Sequence, residues 1–253
     1  MRAVGDRAVR AVMERRVLVN YRIEPGVLQA VLPAPFRPSL VDGYGVGSIC
    51  LIRLAEIRPA GWLPVAPGLR LENAAHRIAV LADTADGPVP GVYIPGRYTS
   101  SRLVTLTRKL LFPRLRMARF HVQEKDGGYR IMAQSPDGKM RIAVTARIAA
   151  RLPADSVFAS LHQASEFFQL AQAGYSDTPV PGVFDGVALE TSYRDKHPLL
   201  VNAVASSYFD DPCLFPPGTS TVDSAFAVTG LATWRPIAPL VMPLGNAVPA
   251  GQR

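Results

Sequence analysis

RLENAAHRIAVL, residues 70–81, alternates with a period of two: Glu72, Ala74, His76, Ile78 and Val80 share one face, and Leu71, Asn73, Ala75, Arg77 and Ala79 the other. That pattern is a β-strand, because successive side chains of an extended backbone point to opposite sides. A carboxylate and an imidazole therefore sit on one face with branched aliphatics. Four residues of strand put Glu72 and His76 about 13 Å apart, too far to touch but close enough to line one cavity if this face is concave. If the face instead opens to water at its start, Glu72 is merely hydrated.

Downstream, GVYIPGRYTSSRLVTLTRKLLFPRLRMARFHV covers residues 91–122. Gly91-Val92-Tyr93 continues the strand pattern. Thr99 or Ser100 can cap a helix whose apolar side is Leu103, Val104, Leu106, Leu110 and Leu111, ending at Phe112-Pro113. The spacing predicts that helix over 99–111. Ala118, Phe120 and Val122 then alternate with Arg119, His121 and Gln123, as in a half-buried strand. Residues 116–148 form a three-strand meander, with Asp126-Gly127-Gly128 and Ser135-Pro136-Asp137-Gly138 as its turns. A second helix is expected over 157–171, where Phe158, Leu161, Ala164, Ser165 and Phe168 recur at helical spacing ahead of Gly174.

Upstream, VLVNYRI at 17–23 reads as a strand. Glu24-Pro25-Gly26 opens a short helix, with Pro25 in its first turn. Residues 44–57 form a long strand in which Gly43, Gly45 and Gly47 permit a bend of the kind that closes barrels. Loops are expected at 59–67 and 82–90. The last third reads as strands at 187–193, 199–208 and 224–234, with a charged loop, Tyr193 to Pro198, between the first two. Residues 1–16 and the tail after Pro236 look peripheral, the tail extended or frayed. The expectation is one domain over 1–253 with its core at 17–234.

Composition bounds the function. With 253 residues, 48% hydrophobic and 19% charged, the chain can bury a substantial core. The net charge of +8 is carried by arginine, since the lysines are only Lys109, Lys125, Lys139 and Lys196. The arginines are scattered and no nucleic-acid module is present, so the field favours a small anion over RNA or DNA. Cys50 and Cys213 cannot build a disulfide framework and suit a reducing compartment. Neither they nor His76, His121, His162 and His197 have metal-ligand spacing, so no metal is expected. No apolar run reaches the roughly 18 residues of a membrane span, and residues 1–16 lack a continuous apolar leader. The reading is a cytoplasmic protein with no membrane or nucleic-acid partner, no cofactor, and a homodimer left open.

The order of a Glu72-Asn73 pair opening a strand, Gly91-Val92-Tyr93, an arginine-bearing helix and Leu111-Phe112-Pro113 resembles a bacterial family within the acetoacetate decarboxylase-like superfamily. GYS at 174–176, DGVAL at 185–189, PLLVNAVASSYF at 198–209 and FPPGTSTVD at 215–223 extend the resemblance over about 17–234. It implies a mainly β fold, a curled antiparallel sheet forming a barrel-like shell around a small-molecule pocket, with a few helices. Decarboxylase members carry a Schiff-base lysine in a Phe-Pro-Lys-Lys segment. Here Phe112-Pro113-Arg114-Leu115 stands instead, and a guanidinium cannot become an amine nucleophile.

The resemblance makes Glu72 the pocket glutamate; as general acid or base it would work with Arg114 or Arg102 as anion partner, Glu72 and Arg114 being the expected catalytic pair. Arg22, His76, Tyr93, Tyr98 and Arg102 are the candidate substrate-binding residues. Lyase, isomerase or cyclase chemistry on a carbonyl- or carboxylate-bearing molecule fits these groups. The alternatives are a non-catalytic ligand-binding protein on the same shell, and a Schiff-base enzyme using Lys109 or Lys196.

Overall fold

A computed structural model describes residues 8–59, 70–84, 87–106 and 115–242. The described residues form thirteen strands and three helices. The chain runs β1 (Val9–Ile23), α1 (Pro25–Val31), β2 (Phe36–Pro38), β3 (Leu40–Val41), β4 (Tyr44–Pro59), β5 (Leu71–Thr84), β6 (Gly87–Thr99) and α2 (Arg102–Leu106). It continues with β7 (Leu115–Met117), β8 (Arg119–Lys125), β9 (Gly128–Gln134), β10 (Arg141–Ile148), α3 (Leu161–Leu170), β11 (Ala173–Asp177), β12 (Val183–Ser206) and β13 (Ser220–Val241).

Neighbouring strands follow the order β11, β6, β5, β4, β1, β13, β12, and β12 pairs back to β11, so these seven close a barrel. Closure removes the unpaired edges that an open sheet would expose. The sheet is mainly antiparallel, with parallel pairings where β6 meets β11 and β7. From β12 the sheet continues outward through β10, β9 and β8 as a three-strand wing. This is the barrel-like shell expected from the sequence.

Two apolar layers follow from this topology. Inside the barrel, Met13, Leu18, Cys50, Ile52, Ala79, Phe226 and Val228 pack with Phe158, Ala164 and Phe168, so α3 plugs the barrel interior. Ser160 caps that helix by accepting from Gln163 N at 3.1 Å, while Gln163 accepts from Ala159 N at 2.6 Å, a reciprocal pair that satisfies two free amides. Outside, Ile131, Ala133, Ile142, Val144 and Ala146 of the wing cluster with Val17, Val19, Ile49, Leu51, Ala74 and Ile78 of the barrel wall. Each fully buried Ile or Leu there contributes roughly 1.5–3 kcal/mol. The strands β1, β4 and β5 are thus buried on both faces.

Several boundaries differ from those read in the sequence. The first strand begins at Val9, not 17, because Val9, Ala11 and Met13 bury against β13 and β4 despite the charges between them. The segment from Tyr193 to Pro198 is not a loop but a bulge within a continuous β12, opposite Gly230 of β13. Gly230 has φ +152, and a Cβ at this position would collide with the Ser192 carbonyl. The tail does not fray at Pro236; β13 continues to Val241 along β12. Strand replaces most of the 82–90 loop, since β5 runs to Thr84 and β6 resumes at Gly87. The described part of the first predicted helix is α2, and 107–111 lie outside the described residues, as do 60–67 of the expected loop.

Candidate active site in the barrel

A cavity of about 260 Å³ opens inside the barrel, lined by residues from all seven of its strands together with α2, β7 and α3. Its walls are mostly aliphatic, including Ile52, Leu54, Val92, Ile94 and Val187. Three arginines interrupt them: Arg16 from β1, Arg77 from β5 and Arg97 from β6. Alternation puts them there. Arg77 follows Asn73 and Ala75 on the odd face of β5, and Arg97 pairs directly with Ala75 across the β5–β6 ladder.

The guanidinium groups are under-satisfied. Arg16 donates to the Tyr193 hydroxyl at 3.0 Å, and Arg97 donates to the Gly174 carbonyl at 3.3 Å. The Arg77 guanidinium stands 5.8 Å from the Phe168 ring centroid, within reach of a cation–π contact. Yet Nε of Arg16, Nη1 of Arg77 and Nε of Arg97 are buried without a hydrogen-bond partner. No described residue lining the cavity is an aspartate or glutamate. Burial, and then the charge of Arg16, pull the Arg77 pKa down to about 10; burial, and then Arg77, do the same to Arg97, to about 10, against the opposing charge of Asp185. Both stay cationic at neutral pH. Burial of unpaired cations is costly, and an entering anion would relieve it.

Cys50 lies among them on β4, buried and free. Burial alone would raise its thiol, but the charges of Arg16 and Arg77 and their hydrogen bonds to the sulfur outweigh it and hold the thiol below its ordinary value.

The sequence-predicted residues fall elsewhere, with one exception. Tyr98 lines the barrel cavity and also a second cavity of about 490 Å³ outside the barrel, between β6, β7 and the β9–β10 turn. His76 lines only that second cavity, 3% exposed, with Nε2 3.1 Å from the Ser206 hydroxyl and its ring stacked on Tyr208. Burial holds the imidazole down to about 4. Glu72 is on the same outward face of β5 and is not among the residues lining either cavity. It forms an ion pair with Arg15 and another with Arg53 at 2.6 Å, and both arginines also grip Glu124 of β8. The concave face of β5 is therefore the odd one, opposite to the face on which Glu72 was expected to line a pocket.

Tyr93 donates to Asp177 at 2.9 Å inside an aromatic cluster with Phe36 and Phe184. Arg22 is tied to Asp155 and Thr221 near the surface. Arg102 is exposed at the start of α2. Lys196 donates to Ser165 of α3 at 3.0 Å and does not line the cavity. Arg114 and Lys109 lie outside the described residues, although Leu115, next in sequence to Arg114, does line the cavity.

Arg16, Arg77, Arg97 and Cys50, which line this cavity, are not among the residues singled out from the sequence. A signal existed: Arg77 and Arg97 fall in phase with small or apolar side chains in strands and have no acidic residue two positions away. Among the described residues no three His, Cys, Asp or Glu side chains cluster as a metal site would require. No helix among the described residues is long and apolar enough to cross a membrane.

A closed barrel with a wing and an internal cavity is the acetoacetate decarboxylase-like fold. Acetoacetate decarboxylase from Legionella pneumophila subsp. pneumophila str. Philadelphia 1 superposes with a TM-score of 0.62 at 11% identity, over 91% of this chain and 87% of that one. An acetoacetate decarboxylase-like enzyme from Sphingomonas wittichii RW1 gives 0.57 at 12% identity, with 95% of each chain covered. The enduracididine biosynthesis enzyme MppR, complexed with pyruvate, gives 0.60 at 12% identity, over 92% of this chain and 89% of that one. The chain belongs to the family DUF2071, described as "Uncharacterized conserved protein", whose model matches residues 10–178. Among curated proteins no sequence matches it significantly.

Proposed function

We propose that the chain is a small-molecule enzyme that binds a carboxylate-bearing carbonyl compound in the barrel cavity and carries out proton-transfer chemistry on it, of lyase, isomerase or cyclase type. The observation that carries this is the set of three arginines, each with an unpartnered buried nitrogen, in an apolar cavity without a described carboxylate. Two guanidinium groups can hold a carboxylate through paired donors, while a third polarises the adjacent carbonyl and stabilises an enolate. The apolar walls exclude water, which strengthens those interactions.

The fold relatives support the substrate class, since one is named as acetoacetate decarboxylase and another holds pyruvate. Arg114 at the position matching the superfamily's lysine argues against a Schiff base there. Among the described residues no lysine lines the cavity. Glu72 then acts as a support for β5 rather than as a group in contact with substrate.

Isothermal titration with pyruvate, 2-oxobutyrate and acetoacetate tests the site. At least one should bind wild type, and Arg77→Met and Arg97→Met should each weaken it tenfold or more, about 1.4 kcal/mol. Acetone, which lacks the carboxylate, should not bind. Equal affinity of the arginine variants, or equal binding of acetone, would overturn the proposal.

A further inference from the structure

We infer that Cys50 is the catalytic base of the barrel cavity, taking the proton from the carbon next to the carbonyl of a 2-oxo carboxylate held by the arginines. The assignment presupposes that the barrel cavity is the substrate site. It starts from an inventory of what lines that cavity. Among the described lining residues the side chains with an ionisable proton are Arg16, Arg77, Arg97, Cys50 and Tyr98. Arginine does not release its proton in a protein. Tyr98 pairs with Ala74 on the face of β6 opposite to Arg97 and is shared between the barrel cavity and the outer one, its ring against Gly96. Cys50 is the remaining group.

Its position follows from strand register. On β4, Cys50 pairs with Leu18 of β1 and with Ala75 of β5, while Ile52 pairs with Arg16 and Ser48 with Arg77. Directly paired residues share a face, so Arg16 and Arg77 flank the thiol diagonally from the two neighbouring strands. Tyr193 of β12 reaches the group through Arg16, Arg97 of β6 stands beyond Ala75, and α3 contributes the uncharged Phe168. The charges that act on the sulfur are those of Arg16 and Arg77, while the carboxylate of Asp185 acts on Arg97. Against the effect of burial, those two cations favour the charged form of the thiol and hold it below its ordinary value, which enlarges the fraction able to accept a proton.

The second observation points to a ligand directly. Nη1 of Arg77, a side chain 5% exposed and lining the cavity, has no partner. A substrate oxygen placed there lies on the same guanidinium that contacts Cys50, which brings the carbon next to it into reach of the sulfur. In the step, the α-carbon's C–H bond breaks and its proton goes to Sγ. The electron pair forms a carbon–carbon double bond, and the carbonyl pair moves onto oxygen, where Arg77 neutralises it. Reversal returns the proton, or a solvent-derived one, to carbon, so the exchange needs no oxidant or further reactant.

The experiment is hydrogen–deuterium exchange at C3 of pyruvate and 2-oxobutyrate, followed by proton NMR in deuterated buffer, in parallel with titration of the same acids. All proteins carry Cys213→Ser, since Cys213 is exposed. Wild type at Cys50 should exchange well above the protein-free rate. Cys50→Ser and Cys50→Ala should lose a hundredfold or more while binding the oxo acid within threefold of the parent. Iodoacetate should alkylate Cys50 faster than iodoacetamide does, with a midpoint below the ordinary thiol value, and Arg77→Met should erase that preference. Retained exchange in Cys50→Ser, or binding without any exchange by the parent protein, overturns the role of Cys50 and leaves the cavity assignment standing. Failure of every oxo acid to bind the parent overturns the cavity assignment and this one with it.

Discussion

Arg15 and Arg16 are adjacent in the chain and opposite in circumstance. Arg15 points out of the barrel wall and, with Arg53, meets Glu72 and Glu124: two cations and two anions that bolt β8 of the wing to β1, β4 and β5. Arg16 points inward, donates to Tyr193 and joins Arg77 and Arg97 in a cavity whose described lining is mostly apolar and holds no carboxylate, with Asp185 offsetting part of the charge of Arg97 alone. The same residue type at nearly the same depth thus does two jobs. A compensated set holds layers together whether or not a ligand is present. An uncompensated one is costly in the empty protein and becomes favourable when an anion arrives, so charge balance separates structural arginines from binding ones better than burial does.

The sharpest break of the comparison is at Glu72. Replacing it with Gln leaves Arg15, whose side chain is 4% exposed, with only Glu124 as an ionic partner. Breaking one half of a buried pair costs roughly 3–5 kcal/mol, and the remaining carboxylate offsets part of it, so urea unfolding should show a loss of about 3 kcal/mol. Pyruvate affinity of the folded Glu72→Gln protein should stay within threefold of wild type. A large affinity loss with unchanged stability would put Glu72 back among the ligand contacts.

Much of the fold is legible in the sequence because its signals are local. Asp126-Gly127 sits at φ 50 and 74, the left-handed backbone that an Asp-Gly turn announces, and the meander follows. The Ser160 cap and the apolar side of α3 are likewise readable. Alternation correctly divides β5 into its two faces, but both faces are buried, with Leu71 and Ala79 on one and Ile78 and Val80 on the other. Periodicity cannot say which of two buried faces looks into a cavity. Arg16 was hidden for another reason: Arg10, Glu14, Arg15 and Arg16 make residues 1–16 look solvated. The burial of Arg15 and Arg16 is decided by pairing with β13, some two hundred residues away, and by irregular register between Met13 and Arg16. The resemblance pointed to the right fold while carrying attention to Glu72.

His76 sharpens the comparison with a smaller effect. It shares the outward face with Glu72 but has no carboxylate partner, and unlike arginine it can stay neutral when buried. Burial depresses its pKa from 6.5 to about 4 in the folded protein. The sign follows: with the folded value below the unfolded one, the stabilising preference for the neutral ring is complete above about 6.5. It is lost as pH falls toward 4, because the unfolded state binds the proton first. By about pH 5 the loss should approach about 2 kcal/mol. His76→Asn should remove that component from the pH profile of unfolding between about 7 and 5. A profile identical to wild type would mean that the ring is accessible to protons in the folded state.

The smallest effect has the opposite sign and tests the uncompensated side. Arg77→Met replaces a buried guanidinium having an unpartnered Nη1 with an unbranched apolar side chain in a cavity already lined by aliphatics. Removal ends the desolvation cost and the repulsion from Arg16 and Arg97, while it forfeits the contacts to Phe168 and Cys50. Exchange of buried ionic groups for apolar ones of similar volume is often stabilising by 1–4 kcal/mol, and the lost contacts place the net gain near the low end, about 1 kcal/mol. The ligand-free variant should therefore melt above wild type, and the order should reverse with saturating oxo acid, which stabilises only a protein that binds it. Such a crossing is what a site that trades stability for function produces. If Arg77→Met instead lowers the melting temperature as Glu72→Gln does, Arg77 belongs with Arg15 among the structural cations, and the division between the two faces of β5 fails.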